Sequence, residues 1–292
     1  MSNVLYDEPG PKARRRAAIG TVVAAAILLG LTGVAVWRLA DRGQFDAELW
    51  SPLINPGDDN FVLVWRLLGK GLLATLTAAV LAISLSLVIG TLLGVARMML
   101  GKGGRIPVVA AIELFRGLPV IISIFYVYIL IRSTGIDISF LPGSDGLWFL
   151  VIGLTLYNSV IIAEIVRAGV NSLPRGQSEA ALAIGMTRWK SMKNVELPQA
   201  FRTMLPALIS QLVVILKDTS LVAVLGLYTE LLRRGNIISL NLDNPIQVLF
   251  VVGVIFIVIN YGLSKLAEFV ERRLSTRGQS SGVRLETGAA AA

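Results

Sequence analysis

The feature that most constrains this chain is a set of long stretches with no charged residue. Ala17 to Trp37 has none, nor have Gly71 to Ala96, Leu147 to Ala163, Thr203 to Leu216 and Ile246 to Ser264. A helix rises 1.5 Å per residue, so about 20 apolar residues cross the ~30 Å hydrocarbon core of a bilayer. In that medium each backbone N–H and C=O must be bonded within the protein, which restricts spans to helices or closed barrels. Runs of this length specify helices. Composition agrees: 54% of the 292 residues are hydrophobic, 16% are charged, and the mean hydropathy is +0.71. The expected fold is an all-α integral membrane protein.

The same composition excludes several kinds of chemistry. With no Cys and no His there are no disulfides, no thiol chemistry and none of the commonest zinc ligands, and no side chain titrates near neutrality without help. No cofactor and no metal site is expected. The net charge of +8 does not call for nucleic acid, because the basic residues lie in the segments between apolar runs. Their uneven distribution fits the positive-inside rule, two-thirds of the 27 Lys and Arg falling on one side of the proposed topology. No P-loop is present, since Gly69-Lys70 and Gly101-Lys102 are each followed by Gly rather than Ser or Thr. Any ATP-driven work therefore belongs to another chain.

In order, residues 1–16 form a basic N-terminus expected in the cytoplasm, and 17–37 a first span. A cleaved signal peptide is the competing reading of that span, but the run exceeds a usual h-region and no clear A-x-A site follows. Residues 38–66 read as an extracytoplasmic loop. Further spans are expected at about 67–98, 106–131, 147–169, 203–227 and 245–266, giving six with both termini inside. Residues 271–292, rich in Ser, Gly and Ala toward the end, read as a disordered cytoplasmic tail. Gly90 and Gly94 are spaced to permit close helix contact.

Polar residues inside spans are the candidates for a transport path. Glu113 and Arg116 share a helix face three apart, just ahead of Gly117-Leu118-Pro119, which should kink the third span. They read either as an interfacial ion pair or as part of a gate. Asn158 suits a helix–helix hydrogen bond or a ligand contact, and Glu164 lies three before Arg167 near the inner end of the fourth span. Lys217-Asp218-Thr219-Ser220 interrupts the fifth span roughly 20 Å along its helix from Thr203. A charge at that depth costs a few kcal/mol unless paired or wetted. Adjacent residues on a helix point apart, so at least one of Lys217 and Asp218 should face a cavity or a neighbouring helix.

Between the fourth and fifth spans lies a polar segment, 171–202, containing LPRGQSEAALAIGMTRWKSMKNVELP. It reads as a helix beginning near Ser178 as N-cap, with Glu179 in its first turn and Gly185 as its stop. Ala180 and Ala181 leave that helix a nearly bare face. Thr187 reads as a second cap, and Pro198 as the end of the next helical piece.

The order Glu179-Ala180-Ala181, Gly185 four residues on, then Val195-x-Leu197-Pro198 resembles the EAA signature of ABC-importer permeases, with Val for the usual Ile. With GKGLLATLTAAV, ELFRGLPV, AEIVRAGVNSLPRGQ and LKDTSLVAVLG, the likeness covers roughly Gly69 to Val270 and is greatest to actinobacterial glutamate-type members of the polar amino acid permease family. The resemblance implies a type I importer permease core of five helices, here (67–270) preceded by one additional helix. It implies that Glu179, Ala180, Ala181, Gly185, Leu197 and Pro198 couple to a separate ATPase. The implied partners are ATPase subunits, a second homologous permease or a copy of this chain, an extracytoplasmic binding protein, the amino acid and membrane lipid, in a bacterial cell membrane. An ion-gradient-driven transporter using Glu113 or Asp218 is the alternative; such proteins usually carry an internal repeat, and none is visible here.

Overall fold

The computed structural model describes residues 10–279, and no strand occurs among them. Twelve helices follow one another: α1 Pro11–Asp41, α2 Ala47–Ile54, α3 Phe61–Met99, α4 Lys102–Arg116, α5 Val120–Thr134, α6 Asp145–Asn171, α7 Arg175–Ala183, α8 Arg188–Ser191, α9 Leu197–Asp218, α10 Val222–Leu225, α11 Leu231–Leu242 and α12 Pro245–Gln279. Five apolar helical segments are long enough to cross a membrane: α1, α3, α6, the continuous stretch Arg188–Leu225, and α12. The pair α4 and α5 makes a sixth if counted as one span. That pair is bent by 110° at Gly117-Leu118-Pro119, so the kink expected there is a sharp elbow. Pro119 has no N–H and pushes Leu118 out of helical geometry, and it becomes the N-cap of α5.

The bundle is built around α6. Of its most apolar stretch 67% is buried against neighbours, whereas none of α1 is. Glycine makes the contacts tight. Gly90 and Gly94 of α3 lie against α6 so closely that a Cβ on Gly90 would stand 2.7 Å from the Ile162 side chain and the Ser159 carbonyl, and one on Gly94 2.8 Å from the Ala163 carbonyl. On α6 itself, a Cβ on Gly153 would stand 2.5 Å from the Ile124 Cα of α5. One cluster, Ala78, Ala82, Ile124, Leu150, Leu154, Ile215 and Val222, joins α3, α5, α6, α9 and α10. Helices in lipid gain little from hydrophobic exclusion and associate through close van der Waals contact, which small residues permit.

Several boundaries differ from the sequence expectation. The segment 38–66, expected as a loop, holds the end of α1, α2 and the start of α3, and the connection before α12 holds α11. Glu230 is the cap of α11: its carboxylate accepts hydrogen bonds from the Leu232 and Arg233 amides at 2.7 and 2.8 Å. Burial pushes its pKa up to about 7, against the opposing pull of those two amides and of Thr75. The turn between α1 and α2 is tied to the core, because the Gln247 amide donates to the Gln44 carbonyl at 2.6 Å and Asn244 donates to the Leu49 carbonyl. Helix α12 runs on to Gln279, past the end expected near Leu266. Residues 1–9 of the expected basic terminus and 280–292 of the expected tail lie outside the described residues.

Replacing Gly90 with Ala is expected to lower the thermal unfolding midpoint of the detergent-solubilised protein, an overpacking cost of about 1–3 kcal/mol. Gly69→Ala, which meets nothing within 4 Å, is expected to leave it unchanged.

Candidate functional site

The segment after α6 is a compact knob. Helix α7 starts at Arg175, with Pro174 as its N-cap, so Ser178 is not a cap but lies inside the helix. Its hydroxyl instead accepts a hydrogen bond from Arg188 at 2.7 Å. Glu179 consequently sits mid-helix rather than in the first turn. Gly185 does stop the helix: its φ is +85°. Its N–H bonds the Leu182 carbonyl, while the Met186 N–H bonds the Ala181 carbonyl, the paired pattern of a Schellman motif. Thr187 caps α8 by accepting from the Lys190 amide at 3.3 Å.

Pro198 does not end a helix. The chain remains helical from Arg188 through a π turn at Met192–Glu196 into α9, where Pro198 lies in the first turn. In a regular helix a proline ring collides with the carbonyl four residues back. The π turn, in which the Leu197 N–H reaches the Met192 carbonyl five residues back, re-spaces the backbone ahead of the ring.

Three contacts fasten the knob to the bundle. Glu196, 4% exposed, accepts from Arg188 at 2.6 Å and from the Ser191 hydroxyl at 2.9 Å. Gln199 of α9 donates to Gln177 of α7 at 3.2 Å. Met192 is buried with Val95, Val170 and Ala200, at the ends of α3, α6 and α9. Sequence reasoning missed Arg188, Glu196 and the Gln pair; the signal available was that Glu196 is the lone acid between Glu179 and Asp218, within a basic stretch. Ala181 is buried, whereas Glu179, Ala180 and Gly185 are exposed beside Leu182, Ile184 (77% exposed) and Trp189. The knob therefore offers a fixed surface with apolar side chains outward.

The other polar candidates fall in three places. Glu164 accepts from Arg167 at 2.9 Å and from Arg97 of α3, closing a three-residue ion cluster near the end of α6. Arg97, in the last turn of α3, is the partner that sequence reasoning did not supply. Asn158 is buried and bridges α6 to α9, accepting from Gln211 at 2.7 Å and donating to the Leu154 carbonyl. Glu113 and Arg116 pair at 2.9 Å, exposed, immediately before the elbow at Gly117 and Pro119.

Lys217 and Asp218 end α9, followed by a 3-10 turn at Thr219–Leu221. Neither makes an ion pair among the described residues. Thr219 is buried, its hydroxyl bonded to the Leu216 carbonyl. Lys217 and Ser220 line a cavity of about 430 Å³ with Phe256, Ile257 and Asn260 of α12. The buried Asn260 Oδ1 has no partner among the described residues. A cation thus stands at a mostly apolar opening.

The Glu196→Leu variant is expected to loosen the knob without unfolding the bundle. Losing two hydrogen bonds to a charged acceptor, tempered by the half-exposed Arg188, should speed amide exchange over 175–196 roughly tenfold. Hydrogen–deuterium exchange with mass spectrometry reads this directly, against a nearly unchanged unfolding midpoint.

The family profile described as "binding-protein-dependent transport system inner membrane component" matches residues 86–276. The glutamate transport system permease protein GluD of Corynebacterium glutamicum is 41% identical over 81% of this chain and 83% of its own length. The glutamine transport system permease protein GlnP of Escherichia coli is 34% identical over 71% and 93%. Among solved structures, an amino acid ABC transporter crystallised with histidines aligns with a TM-score of 0.65 at 30% identity, covering 73% of this chain and 96% of that one. These likenesses are to ABC permeases and lend nothing to an ion-gradient mechanism. The chain belongs to the family of inner membrane components of binding-protein-dependent transport systems, as a membrane-spanning permease with the type I importer fold.

Proposed function

We propose that this permease is the membrane subunit of an ATP-driven importer for glutamate or a closely related polar amino acid. The observation that carries the reading is the knob at Glu179–Gly185, exposed at its tip and clamped at its base, in a chain whose relatives include a glutamate permease. Hydrolysis resides in a separate ATPase that grips Glu179, Ala180 and Gly185, with Ala181, Leu197 and Pro198 holding the knob's shape. An extracytoplasmic binding protein delivers substrate, and a second homologous permease or a copy of this chain completes the path. The basic bias of the segments supports a cytoplasmic position for the knob and both termini. In this topology 38–66 lies outside.

The mechanism is a two-state one. Closure of the ATPases displaces the knob, and the Glu196–Arg188 clamp passes that displacement to α6 and α9 as rigid bodies. Lys217 and Ser220 line the cavity against α12, where an ammonium would meet a substrate carboxylate, and Asp218 is assigned to the same path as their neighbour in the chain. Glu113 and Arg116 sit on the hinge made by Gly117 and Pro119. Asn158, Thr219 and Glu164 keep the moving helices in register.

Two substitutions in the reconstituted complex test the reading. Gly185→Val forces a β-branched residue into a left-handed conformation, a strain of about 1–2 kcal/mol that should distort the grip and abolish substrate-stimulated ATP hydrolysis. Gly185→Asn, which tolerates that conformation, should retain most of it; full stimulation and uptake in the Val variant would sink the coupling assignment. Lys217→Met should lower glutamate uptake at least tenfold with the complex still assembled.

A further inference from the structure

The end of the bundle that carries α7 encloses a cavity of about 500 Å³ bounded by α3, α4, α6 and the α7–α8 segment. Among the described residues, four guanidinium groups line it, those of Arg97, Arg105, Arg167 and Arg188, with Glu196 the only acidic side chain in its wall. Glu164, bonded to Arg97 and Arg167, and Glu196, bonded to Arg188, offset two of the four charges. Arg105 takes part in no ion pair among the described residues. The buried Arg97 Nε likewise has no partner among them. The cavity therefore carries an excess of positive charge. Arginine forks match the paired oxygens of a phosphate.

A second groove, of about 590 Å³, opens from the same place. It shares Arg97 and Arg105 with the basic cavity and is otherwise walled by Lys102, Ile106, Val109 and Ala110 of α4. Its lining is largely apolar, whereas that of the first cavity is largely polar. Arg97 is the first charged residue after the uncharged run Gly71 to Ala96, which puts both openings near the boundary between a bilayer's headgroups and its acyl chains. A free phosphate would fill the cavity and leave the groove empty. A molecule with one anionic head and an apolar tail fills both.

We propose that these two openings form one site for an anionic phospholipid. Its phosphodiester is held by Arg97, Arg105 and Arg167, and an acyl chain lies along Ile106, Val109 and Ala110. Because Arg188 lines the same cavity and clamps α7, the bound head would stiffen the knob from behind. The site makes no use of the transported substrate, so it stands or falls apart from the transport reading.

The test uses the assembled importer in detergent, with phosphatidylglycerol and phosphatidylcholine of equal chain length as probes and native mass spectrometry as the readout. Phosphatidylglycerol should be retained roughly tenfold better than phosphatidylcholine, as expected for charge-assisted bonds. Arg105→Gln, at an exposed residue outside any ion pair, should remove most of that preference. Ala110→Trp, which fills the groove, should reduce retention of both lipids. Equal retention of the two lipids overturns the proposal, as does an unchanged preference in Arg105→Gln. Displacement of phosphatidylglycerol by inorganic phosphate with Ala110→Trp having no effect would show a free-anion site instead.

Discussion

Close backbone approach to α6 is the contact on which the other features rest. Hydrocarbon gives helices no solvent to flee from, so their attraction depends on how many atoms meet at van der Waals distance. Gly90, Gly94 and Gly153 remove the side chains that would hold α3 and α5 off, and Ala78 and Ala82 do so only slightly less. The result is one central helix whose position dictates the rest. Its polar residues, Asn158 and Glu164, then find partners on α9 and α3 because those helices are already within reach.

The knob inherits its position from that packing. Helix α6 enters it and α9 leaves it, and the π turn joins α8 to α9 without a break. A flexible loop would absorb a push; Arg188, Glu196 and the Gln177–Gln199 contact tie this segment down instead. The exposed Leu182, Ile184 and Trp189 are what an isolated aqueous loop would avoid, and they suit a surface that a partner covers. By contrast α1 buries nothing in the chain and is held through its C-terminal connection, at Gln44. That fits an addition to a core that stands without it.

Residue patterns carried the all-helical class, the spans and the outline of the knob, since each depends on neighbours in sequence. Gly185 reads as a left-handed stop and Thr187 as a cap because those roles are local. Ser178 misled for the same reason: a serine before an acidic residue looks like a cap until Pro174 starts the helix four residues earlier. Pro198 misled because a proline usually interrupts a helix, and the π turn that accommodates it has no clear signature in sequence. The loops expected before α3 and before α12 proved helical because their packing against the core, and not their own hydropathy, stabilises them.

By itself the sequence determined that this chain lives in a membrane as helices, and that it bears an EAA-type segment between its fourth and fifth spans. Hydropathy, glycine and cap chemistry act within a few residues, so no fold was needed to read them. Tertiary structure alone decided that Glu164 meets Arg97, that Glu196 anchors the knob through Arg188, and that four arginines share one cavity. Each of those pairings depends on distances between helices far apart along the chain, and only the packing around α6 sets them.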